Sequence, residues 1–148
     1  MENAHLILPR LWLGNKGASM DAEFLTKNKI TVVFNCTKDL PFHPSVKRQY
    51  RVPVDDNLQE AEIRNMYIWA PEIVLKLLRE HRAGHSILVH CFAGMQRSAA
   101  VIALTLLYSS DKTTDEVIGF IRSKRTIAFF PQANFLPAIQ GFEKAIRK

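Results

Sequence analysis

The sequence predicts an α/β protein. Short β-branched runs alternate with longer segments of helical periodicity, the pattern of a sheet covered by helices. Between the apolar run Ile87-Leu88-Val89 and a longer Ala- and Leu-rich run from Ala99 to Tyr108 lie nine residues, His90 to Ser98. These read as a buried strand, a loop and a buried helix. Upstream, Ile63, Met66, Tyr67, Ala70, Ile73, Val74, Leu77 and Leu78 recur at helical spacing and predict one long amphipathic helix from about Glu60 to Arg82.

The remaining elements follow in chain order. Leu6-Ile7-Leu8 and Leu11-Trp12-Leu13, split by Pro9-Arg10, read as one or two short strands ending at Gly14. Ser19 is the expected cap of a helix over Met20 to Asn28, with Asp21 and Glu23 in its first turn. Ile30 to Asn35 is a β-branched strand, followed by Cys36, which reads as a small buried residue. Lys38 to Lys47 holds two prolines and no apolar period, so it is a loop. Gln49 to Val54 is a strand ended by Asp55-Asp56-Asn57. Pro71 inside the long helix predicts a kink or a break. Gly84 ends that helix, and Ser86 to His90 is the strand before the loop. Thr113 and Glu116 have capping-box spacing for a helix through about Ser123. Arg122, Lys124 and Arg125 read as charges at its C-terminal end. Thr126 to Pro131 is a loop, and Asn134 is the expected cap of a last helix from Phe135 to about Arg147.

The 148 residues suit one domain, 1–148, with a sizeable core. No apolar run reaches the length of a membrane span, and Glu2 and Pro9 interrupt the stretch where a signal peptide needs an apolar core. The net charge of +6 favours anionic partners: acidic phosphopeptides, nucleic acid or lipid.

The loop from His90 to Ser98 carries the chemistry. A strand-to-helix loop aims backbone N–H groups at one spot, and the helix dipole adds to it. Five residues separate Cys91 from Arg97, enough for the loop to curl until the Arg97 fork and the loop amides surround a tetrahedral anion above the sulfur. The same surroundings stabilise a thiolate. Gly94 supplies a backbone conformation closed to other residues. Ser98 is placed to donate its hydroxyl to the sulfur, and His90 to bond backbone and fix the loop. Phe92, Ala93, Gly94, Met95, Gln96 and Arg97 form the expected anion-binding set.

This loop resembles the His-Cys-x5-Arg-Ser signature of cysteine-dependent phosphatases. The fuller resemblance is to small, single-domain dual-specificity protein phosphatases, the poxvirus-type enzymes among them, and it extends over nearly the whole chain. Ile7-Leu8-Pro9-Arg10-Leu11-Trp12-Leu13-Gly14 looks like that family's opening. The resemblance implies a mixed sheet of about five strands with helices on both faces. It implies a general acid after a strand of the form Pro-x-x-Asp, which Pro53-Val54-Asp55-Asp56 matches with Asp56; Asp55 is the near alternative. The family's Pro-Asn segment supports the loop from behind. Here Gln132 stands where that Asn is usual and Asn134 is the nearest equivalent amide, so either could brace the loop.

The chemistry expected is two displacements at phosphorus, with no cofactor and no metal, because Arg97 and the amides supply the positive charge. The substrate expected is a phosphoprotein carrying phosphotyrosine and phosphoserine or phosphothreonine. Two alternatives are an RNA 5′-phosphatase or triphosphatase with the same loop, and a non-catalytic phosphate-binding module. Lys47, Arg48 and Arg51 read as a solvated face or as a patch that recruits an anionic substrate. Two cysteines do not make a disulfide scaffold, and a thiolate enzyme suits a reduced setting inside the cell, cytoplasmic or nuclear. The sequence leaves the oligomeric state open.

Overall fold

The computed structural model describes residues 2–148. Five strands form one mixed sheet: β1 (Ala4–Leu8), β2 (Leu11–Gly14), β3 (Ile30–Asn35), β4 (Arg48–Arg51) and β5 (Ser86–His90), in the order β1-β2-β5-β3-β4. β1 pairs antiparallel with β2; every other pairing is parallel. Among the described residues six helices complete the fold: α1 (Lys16–Ser19), α2 (Ala22–Lys27), α3 (Glu60–Arg82), α4 (Arg97–Tyr108), α5 (Thr114–Lys124) and α6 (Leu136–Ile146). Among the described residues, no helix is long and apolar enough to cross a membrane.

Strand alternation divides the core between the two faces of the sheet. Ile87 and Val89 of β5 join the larger cluster with α3, α4, α5 and α6. Leu88 points to the other face, where Val33, Ala18 and Leu25 pack with Trp12 and Phe24. Residues 98–107 of α4 are all buried. That explains why its sequence is apolar all round: it is the inner helix, enclosed by α3, α5, α6 and the sheet. β5 and α4 together hold the loop between them at the C-terminal edge of the parallel strands.

Four local expectations need correction. Ser19 does not cap the helix after it. Asn15 caps a separate one-turn helix, α1, by accepting from Ala18 N, and Ser19 ends that turn. Asp21 caps α2 instead, its carboxylate accepting from Phe24 N at 3.1 Å. Pro71 does not break α3, which runs continuously from Glu60 to Arg82. The bond that Pro71 cannot make would have gone to Tyr67 C=O; both residues are on the exposed face, where water is at hand. The predicted strand from Gln49 to Val54 shifts to Arg48–Arg51. Residues 52–54 continue beyond the end of β3, holding it only by Val52 N to Asn35 O, and Pro53 has no N–H to donate. Lastly, Asn134 does not cap α6. Phe135 occupies the cap position with no side-chain bond, and the Asn134 amide is used elsewhere.

The capping box of α5 is present as its spacing predicts, with Thr113 accepting from Glu116 N and Thr113 N donating to Glu116.

Candidate active site

Residues 91–96 curl between the end of β5 and the start of α4. Four consecutive carbonyls of this loop are tied outward. Phe92 O accepts from Lys16 N at 3.0 Å, and Met95 O from Phe129 N at 2.7 Å. Ala93 O and Gly94 O both accept from the Arg125 guanidinium, at 3.1 and 2.9 Å. In a trans peptide, C=O and N–H point to opposite sides. Fixing carbonyls 92–95 outward therefore turns N–H groups 93–96 inward, over Cys91. Gly94 has φ +68°, and a Cβ there would lie 2.5 Å from Gly14 O and 2.9 Å from Arg125 Nη2, so the position admits only glycine without displacement.

The inward side is a cavity of about 350 Å³ lined by Asp56, Cys91, Phe92, Ala93, Met95, Gln96, Arg97, Phe130 and Asn134. Cys91 lies at its base, and its sulfur is 3.1 Å from Ser98 Oγ. Arg97 opens α4. Its Nη1 donates to Val54 O at 3.0 Å, while its Nε is buried with no protein partner. A buried, unpartnered guanidinium N–H is a costly state. Gly94 and Ser98 support the cavity from behind rather than line it.

His90 is fully buried. Its Nδ1 is 3.2 Å from Cys91 O, and because a carbonyl only accepts, Nδ1 carries the proton. Burial pushes the imidazole down to about 4, the Cys91 carbonyl bond opposing and the Arg51 and Arg97 charges adding to the fall. From roughly pH 6.5 down to 4, the unfolded chain therefore binds a proton that the folded chain refuses. His90's contribution to stability is full above that window and is lost as pH drops through it, by about 3 kcal/mol in all. Urea unfolding of wild type and His90→Asn at pH 7 and pH 4.5 measures this. The wild type is expected to lose more stability than the variant on acidification, and equal losses would contradict it.

Of the two aspartates, Asp56 faces the cavity, and Asn134 Nδ2 donates to its Oδ1 at 2.9 Å. Asp55 turns away. Its carboxylate pairs with Lys38 at 3.1 Å and its N–H donates to Glu62.

Neither candidate side-chain amide braces the loop. The bracing runs the other way: the buried Gln96 side chain reaches from the loop to the backbone opposite. It donates to Phe130 O and Gln132 O, at 3.2 and 2.9 Å, and accepts from Asn134 N at 2.9 Å. A carboxamide has both donors and an acceptor, so one side chain satisfies three main-chain groups. Gln132 contributes only its carbonyl. Asn134 contributes its N–H to Gln96 and its side chain to Asp56.

The structure also assigns partners to the basic groups. Arg48 and Tyr50 both bond the buried Glu80 carboxylate, at 2.6 and 2.7 Å. Arg51 donates to Thr37 O and Leu40 O and lies over the Phe42 ring. Two of the three cations in the supposed recruiting patch are thus committed to holding the fold. Arg122 closes the turn after α5 by donating to Ala128 O and Phe129 O. Arg125 is not an exposed helix-end charge: it is 1% exposed and lies directly behind the loop. Its one sequence signal was the apolar Ile127-Ala128-Phe129 run that follows it. Cys36 is buried beside β5, and burial, with the Cys91 charge adding, pushes its thiol well above the usual range, which leaves it protonated.

Comparison with known proteins agrees with this geometry. The family model described as dual specificity phosphatase, catalytic domain, matches residues 11–145. Human dual specificity protein phosphatase 16 is 31% identical over 144 residues, covering 95% of this chain and 21% of that protein. Human dual specificity protein phosphatase 2 is 32% identical over 141 residues, covering 95% of this chain and 43% of that protein. The chain thus spans less than half the length of these relatives. The crystal structure of human DUSP28 superimposes with a TM-score of 0.87 at 25% identity, over 100% of this chain and 97% of that one. With the family model matching from β2 through most of α6 and the solved structure superimposing over the whole chain, the chain belongs to the dual specificity phosphatase family.

Proposed function

We propose that this protein is a phosphatase that hydrolyses phosphotyrosine and phosphoserine or phosphothreonine in proteins through a cysteinyl-phosphate intermediate. The observation that carries this reading is the common cavity: Cys91, Arg97 and Asp56 line it together, under a loop whose carbonyls are bound outward.

Cys91 as thiolate attacks phosphorus from the base of the cavity. An S–P bond forms as the P–O bond to the substrate breaks. Arg97 and the loop amides hold the three non-bridging oxygens, over which the transferring group's negative charge is spread in the transition state. Asp56, protonated for this step, passes its proton to the leaving oxygen. The resulting Asp56 carboxylate then takes a proton from water as that water attacks phosphorus. The S–P bond breaks, inorganic phosphate leaves and the thiolate is restored. The Ser98 hydroxyl, 3.1 Å from the sulfur, stabilises the thiolate as it departs. Asn134 orients the Asp56 carboxyl toward the cavity. A free thiolate nucleophile suits a reduced compartment within the cell.

A side-by-side rate comparison on a phosphotyrosine peptide, a phosphothreonine peptide and an RNA with a 5′-triphosphate tests the reading. Both peptides are expected to be turned over, with kcat/KM above that for the RNA. Faster RNA turnover would transfer the protein to nucleic-acid chemistry. Tight oxyanion binding with no turnover of any of the three would make it a binding module.

A further inference from the structure

Arg125 is a buried cation with no carboxylate. Its guanidinium donates to Ala93 O, Gly94 O and Glu2 O, at 3.1, 2.9 and 2.9 Å, and its Nη1 is 2.9 Å from His5 Nδ1. All four are neutral acceptors, and among the described residues no ion pair joins Arg125 to an acid. A buried charge ordinarily keeps a counter-ion, because removing it from water costs several kcal/mol. Burial does pull this guanidinium below its usual value, and the Cys91 charge opposes that fall. The one carboxylate nearby is that of Glu2, set behind the His5 ring at 3.6 Å from Nε2, while the opposite side of the two bonded carbonyls is the cavity over Cys91.

We propose that Arg125 is a positioning residue of the oxyanion site: from behind the loop it locks carbonyls 93 and 94 outward, so that N–H groups 94 and 95 face the phosphoryl oxygens. This rests on the reading of the cavity as a phosphoryl site. Two features make the arrangement specific to arginine. The planar fork spans two successive carbonyls, which a single ammonium cannot do with the same geometry. Bonding a carbonyl to a cation also polarises its peptide unit, and the N–H on the far side becomes the stronger donor. Arg97 thus grips the anion directly, while Arg125 acts through the backbone. His5 of β1 and Glu2 O, two residues before that strand, hold the Arg125 fork in turn.

Direct titration with tungstate, a tetrahedral oxyanion, tests this without requiring turnover. Each variant is studied well below its own melting temperature. Arg125→Met keeps the volume but removes the charge and the fork. Its tungstate affinity is expected to fall by about tenfold or more, and kcat on an aryl phosphate by about 10²-fold, the loss typical of a slightly misplaced site. Arg125→Lys keeps the charge without the fork and is expected to lie between wild type and Arg125→Met on both measures. Arg48→Met strips the buried Glu80 of its partner far from the loop; it is expected to lower Tm and leave tungstate affinity unchanged. Wild-type affinity in Arg125→Met, or equal losses in Arg125→Met and Arg48→Met, would reduce Arg125 to a structural residue. If Arg125→Met does not fold, Arg125→Lys decides: several-fold weaker tungstate binding supports the role, and unchanged binding overturns it. Tungstate binding that falls as expected in a protein without phosphatase turnover would uphold this inference and overturn the proposed activity. A wild type that binds no tungstate would overturn both.

Discussion

Cys91→Ser is expected to lose turnover by on the order of 10⁴-fold or more while retaining oxyanion binding. The two halves of that result come from different atoms. Attack on phosphorus needs an anionic nucleophile, and a serine hydroxyl in the same place stays protonated at neutral pH, with no base beside it except the neutral Ser98 hydroxyl. Binding, on the proposed reading of the cavity, depends on Arg97 and on amides 93–96. The amides' orientation is set by Lys16, Arg125 and Phe129, whereas the sulfur's partner is Ser98. The variant should therefore hold tungstate or a phosphopeptide with an affinity close to that of the wild type. Steady-state rates and a binding titration on one preparation measure both. Turnover as high as a tenth of wild type would remove Cys91 from the nucleophile's role. Loss of binding together with turnover would mean that the sulfur organises the loop.

Asp56→Asn is the other large effect. A serine alkoxide or tyrosine phenoxide is a poor leaving group and needs a proton as its bond to phosphorus breaks; an activated fluorinated phenolate needs it far less. The variant is expected to slow phosphopeptides by roughly 10²–10⁴-fold and a good-leaving-group aryl phosphate much less, provided formation of the cysteinyl-phosphate limits the rate. Asp55→Asn should lose little beyond its Lys38 contact, since its carboxylate points away from the cavity. Asn134→Ala should fall between the two, because the carboxyl remains but its 2.9 Å tether is gone. Rates for all three against a series of leaving groups of rising pKa give the answer as slopes. A steeper slope for Asp55→Asn than for Asp56→Asn would give the role to Asp55. No steepening in any variant would move the proton donor elsewhere in the chain.

What could be read from the sequence, and what could not, follows the range of the interactions involved. The β5–loop–α4 unit was legible because its signal is local: an apolar β-branched run, a glycine-containing turn and an all-apolar helix lie in one window of 23 residues, 86–108. The capping box at Thr113 and Glu116 was legible for the same reason. Ser19 misled because two capping residues, Asn15 and Asp21, flank it, and each starts its own helix. The aspartate pair could not be separated by spacing. The distinction depends on Lys38 and Asn134, which lie 17 and 78 residues away in sequence. Arg125 and Gln96 were missed as braces because most of their partners are main-chain atoms 31 to 38 residues distant, and a carbonyl has no sequence signature.

The Gln96 brace and the Asn134 tether meet on one short stretch of backbone, residues 130–134. That stretch is bonded along its backbone to Gln96 of the Cys91 loop and holds Asp56 by the side chain at its far end. The spacing between the Cys91 loop and Asp56 is thus gauged by a single segment, not by two loops that move independently. The exposed side chain at 132 is free to vary, since only its carbonyl enters the gauge, whereas Ala133 packs against the core. Its length is not free. Adding or removing one residue between 130 and 134 would put Gln96 and Asp56 out of step with each other, whichever residue was chosen.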